Sequence, residues 1–324
     1  MQLQIDQNGK EIKSHGTYAF PVLVSHEWLS RYERRTFLWH WHAELEWTYV
    51  VEGEICYQVN DQICRLRPGQ GILCNSNVLH MGRAEQNQDC HYVSITVHPR
   101  LLEGFENSFL EQKYVRPVIG HTSCSCVMLD EANALWQRQV LGNLQRIEQL
   151  YQEKSEGFEY RIYLLLLENW FAVWKQFRNT GREPEEHTAE DRNMQRLKLI
   201  FRYLHEHYAE KITLQDVAGQ VNICEAECCR LFKRYMKESL FDYLLDYRVE
   251  QSKAVLLEST VTEAAQNSGF GSPAYYTKVF KERMGCTPRE YKKLAQKWQT
   301  GENGNGDDGY GTVGSDFISA DGDR

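Results

Sequence analysis

The chain has no uninterrupted apolar run near the ~20 residues that a membrane helix requires. Its longest candidate is the short block Leu164–Leu167, and mean hydropathy is −0.59. A transmembrane role is therefore excluded on the sequence. Met1 to Gly16 is polar and mixed in charge, lacking a basic segment followed by an apolar one, so no secretory signal is read and a cytoplasmic location is expected. Zinc-clip spacing is also missing. The ten cysteines are scattered, and the close pairs Cys124/Cys126 and Cys228/Cys229 do not form a C-x2-C…C-x2-C pattern. They read as reduced thiols serving as small apolar side chains. No Ser/His/Asp set, P-loop or G-x-G-x-x-G points to catalysis.

What is present is ordinary globular material. With 324 residues, 42% hydrophobic and 25% charged, the chain should form two or three domains. Net charge is −8 but unevenly spread. Residues 1–190 carry −7, residues 191–298 carry +4 and residues 299–324 carry −5. A basic segment between acidic neighbours is the asymmetry that marks a nucleic-acid footprint.

From Tyr18 to about Val97 short β-rich segments alternate with turn formers. Strands are expected at Ala19–Ser25, Leu45–Val51, Ile55–Val59, Ile63–Leu66, Gly71–Cys74 and Tyr92–Val97, separated by Glu52-Gly53, Asn60-Asp61, Arg67-Pro68-Gly69 and Asn75-Ser76-Asn77. This spacing indicates a β-barrel or sandwich. The period then changes: Met128, Ala132, Leu135, Trp136, Val140, Leu144, Ile147, Leu150 and Tyr151 place a long amphipathic helix here. A second helix, about Phe158 to Phe177, is apolar nearly all round, so it either dimerises or is buried within its own chain. Asn179 to Glu190 is polar and holds Gly and Pro, the best linker candidate. The last 26 residues contain 7 Gly and 6 Asp/Glu and are expected to be disordered.

An internal repeat at an offset of 47–48 residues runs through the basic segment. Thr213-Leu-Gln-Asp216 and Thr260-Val-Thr-Glu263 are both capping-box starts. Ala218 pairs with Ala265, Cys224 with Ser272, Phe232-Lys233 with Phe280-Lys281 and Tyr243 with Tyr291. Each copy has a short helix, a turn at Asn222 or Gly269, and a second helix from Glu225 or Pro273. This is the helix-turn-helix layout, about 213–236 and 260–284, whose second helix enters the major groove N-terminus first. Its exposed positions are the candidate DNA contacts: Ala226, Glu227, Cys229 and Arg230 in the first copy, and Ala274, Tyr275, Thr277 and Lys278 in the second. Arg230 suits guanine and Glu227 suits cytosine, while Lys233, Arg234, Lys281 and Arg283 suit phosphates.

Residues 195–293 resemble the DNA-binding domain of AraC/XylS-family transcription regulators. The second copy carries the family signature as Ala265…Gly269-Phe270…Ser272…Tyr276…Phe280-Lys281…Gly285-Cys-Thr287-Pro288…Tyr291, and the first as Ala218…Phe232-Lys233…Tyr243…Arg248. The resemblance implies seven helices, including a connecting helix from about Phe241 to Leu257, two recognition helices one DNA turn apart, a homodimer on paired half-sites, and RNA polymerase as a partner of an activator. Three positions depart from the pattern: Cys224 replaces a capping Ser, Lys237 replaces Gly and Ala264 replaces a larger aliphatic residue.

The segment His40-Trp41-His42-Ala43-Glu44-Leu45-Glu46 before Gly53 resembles the first cupin motif, and Pro68-Gly69 with His80 the second. If His40 and His42 share a strand they project the same way, with Glu46 on that side, and His80 completes a three-His, one-carboxylate set able to hold Fe, Mn, Ni or Zn. Similar regulators mostly hold a small effector in this barrel, often without metal. Trp39 and Trp41, with Trp47, Tyr49 and Arg65 nearby, suggest a carbohydrate effector, with barrel core as the alternative for the aromatic rings.

The expected architecture is a two-domain α+β chain. A cupin-like effector-binding barrel with an N-terminal arm spans 1–120, a helical dimerisation hairpin 121–178, a linker 179–190, an all-α DNA-binding domain 191–298 and a tail 299–324. The expected function is a cytoplasmic, effector-controlled regulator on double-stranded DNA, an activator and not an enzyme. Two alternatives are a metal-dependent cupin enzyme with an appended DNA-binding domain, and a DNA-binding module whose barrel only dimerises.

Overall fold

A computed structural model describes residues 2–85, 88–119, 121, 124–179 and 189–299. Most of the expected linker and nearly all of the tail lie outside the described residues. The chain divides into two compact units, 1–250 and 251–324.

Two antiparallel sheets form the first part of unit one. Strands are β1 (Val22–Trp28), β2 (Thr36–His40), β3 (Leu45–Gly53), β4 (Ile55–Val59), β5 (Gln62–Leu66), β6 (Gln70–Cys74), β7 (His80–Ala84), β8 (Cys90–Val97) and β9 (Cys126–Asp130). They pair in the orders β1-β8-β3-β6-β9 and β2-β7-β4-β5. Period-two alternation sets which side chains go where. Between the sheets lie Phe37, Val50, Ile55, Tyr57, Leu66, Ile72 and Tyr92. On the outer face of the larger sheet, Trp47, Tyr49, Leu73 and Ile95 pack against two helices.

Those helices are α3 (Leu135–Glu153) and α4 (Phe158–Asn179), which follow the short α1 (Arg100–Glu103) and α2 (Arg116–Ile119). The expected first helix is corrected at its start. Met128 lies in β9 and Ala132 in a turn, because Cys126–Asp130 pairs with β6 in register before the helix begins. Helix α4 buries Ile162, Leu166, Trp170, Val173, Trp174 and Phe177, and leaves Tyr160, Leu164 and Phe171 exposed along another stripe.

Helices α5 (Ala189–His207), α6 (Leu214–Gln220), α7 (Glu225–Met236) and α8 (Leu240–Glu258) follow. Residues of the first three pack with Leu240, Tyr243 and Leu244 of α8, with Trp39 of β2 and with Leu79 just before β7, in one hydrophobic cluster. That shared core is why the first helix-turn-helix belongs to the same compact unit as the sheets. In unit two, α9 (Val261–Asn267), α10 (Pro273–Met284) and α11 (Pro288–Gln299) enclose Ala264, Ala265, Tyr276, Val279 and Phe280. Among the described residues no helix is long and apolar enough to cross a membrane.

Candidate functional site

The two helix-turn-helix units begin as their side chains require. In each, the Thr hydroxyl accepts from the backbone N–H three residues on, and the carboxylate accepts from the Thr N–H: Thr213 with Asp216, and Thr260 with Glu263. The tight turns fall at Asn222 and Gly269, both at positive φ (52° and 76°). Helices α7 and α10 start at Glu225 and Pro273, the positions read from the sequence. Their inward faces, Cys228, Leu231 and Phe232 in one and Tyr276, Val279 and Phe280 in the other, are buried.

The outward candidates differ in their freedom. Ala226, Cys229, Arg230, Lys233, Ala274, Tyr275, Lys278 and Lys281 are exposed. Glu227 is held by Arg196 at 3.2 Å, Lys278 lies 3.8 Å from Glu282, and the Thr277 hydroxyl donates to the Pro273 carbonyl at 2.8 Å. Arg234, also exposed, forms an ion pair with Asp61 of the β4–β5 turn at 3.2 Å.

In the sheet region, His40, His42, Glu46 and His80 come together, all buried, with one ligand atom from each within 4.8 Å of the others. One detail of the sequence reading is corrected: His40 ends β2 and His42 lies beyond it, in the connection to β3. Each ring is oriented by its own chain. Nδ1 of His40 donates to Leu38 O at 2.9 Å, that of His42 to Glu44 O at 3.2 Å and that of His80 to Val78 O at 3.0 Å. A carbonyl only accepts, so Nδ1 carries the proton and Nε2 faces the cluster. Glu46 is oriented likewise. Its Oε1 accepts from Thr48 at 2.9 Å and Tyr57 at 2.8 Å, which leaves Oε2 at 3.1 Å from His42 Nε2 and 3.5 Å from His80 Nε2.

The electrostatics follow from burial and proximity. Burial would raise the Glu46 pKa, but the adjacent His42 and His80 rings hold its carboxyl well below the usual range. Burial, reinforced by the charge of His80, pushes His40 down to about 3 and keeps it neutral. For His80 burial opposes the charge, yet Glu46 raises it above its ordinary value.

These donors fit a divalent transition metal. Bonds of about 2.1 Å place two ligand atoms about 3.0 Å apart at a right angle and about 4.2 Å apart across an ion. The measured 3.1 and 3.5 Å fall within that span. His80 Nε2 is buried with no hydrogen-bond partner, although it aims at the cluster.

The residues expected from the sequence to contact a carbohydrate do not line this cavity. Trp39 packs into the cluster built on α5–α8, and Trp41 lies beneath the Lys198 ammonium at 3.8 Å. Trp47 faces α3 and α4, while Arg65 is exposed and paired with Glu85 at 3.1 Å. The cavity beside His40 and Glu46, lined also by Glu11, His15, Tyr32 and Tyr92, measures about 40 Å³. Small-molecule pockets typically measure about 300–1,000 Å³.

Two strands, and the residue pair at the entry to a third, present one residue to this cluster and the adjacent one to the helices. On β2, His40 joins the cluster and Trp39 the α5–α8 core. At the start of β7, His80 and Leu79 divide in the same way. On β4, Tyr57 bonds Glu46, while the Gln58 amide donates to Tyr235 O on α7 at 2.8 Å.

The model of an AraC-like ligand binding domain matches residues 29–168, and that of a helix-turn-helix domain matches 217–294. A transcriptional regulator of Bacillus subtilis, YdeC, is 32% identical over 292 residues, 90% of this chain and 98% of that protein. The chain belongs to the AraC family of transcription regulators. Other relatives of this AraC-family regulator are the melibiose operon regulatory protein of Escherichia coli K12, 21% identical over 80% of this chain and 84% of that one, and the activator RhaR of Yersinia pestis, 24% identical over 84% and 89%. Among solved structures, ToxT of Vibrio cholerae covers 84% of this chain and 97% of its own, at 12% identity and a TM-score of 0.39. The family fixes the general function: a DNA-binding regulator of transcription with a ligand-binding domain.

Sequence reasoning missed four groups at the histidine cluster of this AraC-family regulator. Thr48 and Tyr57, which orient Glu46, were legible in part, since Thr48 shares the Glu46 face by period two. Glu11 and His15, which close the cavity from the N-terminal arm, carry no local signal because their docking is long-range.

Proposed function

We propose that this regulator acts as a homodimer on paired DNA half-sites, that it activates transcription through contact with RNA polymerase, and that ligand at the His40/His42/Glu46/His80 cluster controls it. The alternation on β2, β4 and β7 carries the reading. Any shift of His40, Tyr57 or His80 moves the adjoining Trp39, Gln58 or Leu79 against α5 and α7. The helix that reads DNA thus rests on the back of the strands that hold the ligand. Arg230, Lys233, Tyr275, Lys278 and Lys281 are exposed and supply the DNA contacts. A divalent ion at the cluster would supply fixed charge and fixed geometry. The exposed stripe Tyr160, Leu164 and Phe171 on α4 is the proposed contact with a second copy. Action on DNA supports a cytoplasmic location and a regulatory rather than catalytic role.

A saccharide effector is a second reading, favoured by the name of the melibiose operon relative. It requires the arm to leave the cavity, whose about 40 Å³ beside Glu11 and His15 is too small for a sugar ring. Footprinting on genomic fragments tests the main reading: a protected sequence with paired half-sites is expected, and no protection at any ionic strength would overturn it. A thermal-shift screen across divalent metal salts and sugars separates the two ligand classes.

A further inference from the structure

The arm before β1 is fastened to the segment between two of the cluster's histidines. Ile5 bridges Glu11, Lys10 bridges Trp41, Glu11 N donates to Trp41 O at 2.9 Å, and Trp41 N donates to Gly9 O at 3.1 Å. The Trp41 indole adds a bond to Asn8 O at 2.9 Å. This anchoring brings Glu11, 8% exposed, to 4.0 Å from His40 Nε2. The Glu11 carboxylate also lies 2.9 Å from His15 Nε2, and the opposite ring nitrogen of His15 is 3.0 Å from the Thr96 hydroxyl. Glu11, His15 and His42 offer ligand atoms within 4.8 Å of one another, a second donor group that shares His42 with the first.

Charge explains why such a group belongs there. A dication among three neutral imidazoles and Glu46 keeps one uncompensated positive charge in a buried site, which is costly. A second carboxylate cancels it. Glu11 is that carboxylate: it lies 4.0 Å from His40 Nε2 and groups with His15 and His42 rather than with Glu46 and His80, so it joins the ion by rotating its side chain inward when metal enters. The 40 Å³ cavity accommodates an ion but not a ring.

We propose that Glu11 is a fifth ligand to a divalent transition-metal ion held by His40, His42, Glu46 and His80, that His15 positions its carboxylate, and that metal occupancy therefore clasps the N-terminal arm onto the barrel. The inference rests on the reading of this cluster as the ligand site. The experiment titrates full-length, chelator-treated protein with Co2+ and Zn2+ alone, and reads stoichiometry, competition against a chromophoric chelator, the Co2+ visible spectrum and tryptic cleavage at Lys10 and Lys13. Wild type should bind one ion that protects both lysines. Glu11→Gln should weaken binding ten- to a hundredfold, intensify the Co2+ absorption toward that of a four-coordinate ion, and lose the protection. His15→Ala should weaken binding less and keep the five-coordinate spectrum, which tests the clasp if Glu11→Gln fails to fold. His42→Ala should abolish binding. Glu11→Gln with wild-type affinity, spectrum and protection overturns the clasp and leaves the barrel site standing. A wild-type chain that takes up no ion yet protects a DNA sequence overturns the metal altogether and leaves the regulator reading intact. Metal binding without any DNA protection does the reverse.

Discussion

The two places before the recognition helices differ by a single atom type. Ser272 Oγ accepts from Tyr275 N at 3.2 Å, whereas Cys224, in the same place before α7, makes no side-chain cap. Cys224→Ser should therefore raise the free energy of urea unfolding by about 1 kcal/mol, and an unchanged midpoint would count against the cap argument. Past the other end of α7, Lys237 holds φ at 60° where α10 is followed by Gly285 at 74°. Both departures from the family pattern thus have a local physical cost. His205 gives a pH dependence. Burial lowers its pKa to about 4, against the opposing carbonyls of Asp6 and Gln7, while its ring stacks on Tyr247 at 4.0 Å and its Nε2 is 2.8 Å from the Tyr243 hydroxyl. Between that value and the ordinary 6.5 the unfolded chain binds the proton and the folded chain does not. Stability is therefore full above the upper limit and falls with pH through the window, by roughly 3 kcal/mol in total. Urea unfolding at several pH values should show this slope, and His205→Gln should flatten it by that amount; equal slopes would refute the assignment.

Among the elements, α7 and α10 carry the predictions about DNA. Arg230→Ala should cost on the order of 1–3 kcal/mol at the preferred sequence and relax the base choice there, whereas Lys281→Ala should weaken binding to all sequences alike. Anisotropy titrations on specific and random duplexes decide it, and equal losses for Arg230→Ala would remove its base-reading role. These helices were legible to the residue because their signals are local: a Thr with a carboxylate three positions on, a turn residue at positive φ, and a helix start after Cys224 or Ser272. Strands whose pairing is long-range were less legible. β2 was not read, since Thr36–His40 follows the charged run Glu33-Arg34-Arg35 and its partner β7 is 40 residues or more away. β7 holds Gly82, a residue that weakens strand patterns yet is required here, because an added Cβ would meet the Phe37 ring at 2.4 Å. β9 was absorbed into a helix because Met128 and Ala132 happen to continue the spacing of Leu135.

At the scale of the whole molecule, the proposed homodimer and the proposed ligand control each have an outcome. Leu164→Glu with Phe171→Glu should raise the dimer dissociation constant at least tenfold by sedimentation while leaving the circular dichroism unchanged; an unaltered oligomeric state would place the contact elsewhere. Gln58→Ala should cut the factor by which ligand alters DNA affinity, and by linkage the factor by which DNA alters ligand affinity should shrink equally. The histidine cluster was visible in the sequence because cupin-like spacing brings its members together, but the directions of Trp39 and Trp41 were not, since only the packed α5–α8 core reveals which side of β2 is covered. That two-sidedness limits how the chain can vary. Shifting a strand by one residue sends every side chain to the opposite face. A single insertion within β2 or β4 would hand the reading helix a histidine or tyrosine and turn a tryptophan or glutamine toward the ligand. An insertion in these strands keeps both faces in place only where it adds two residues, or where a bulge such as the register break between Phe37 and His40 absorbs the odd one.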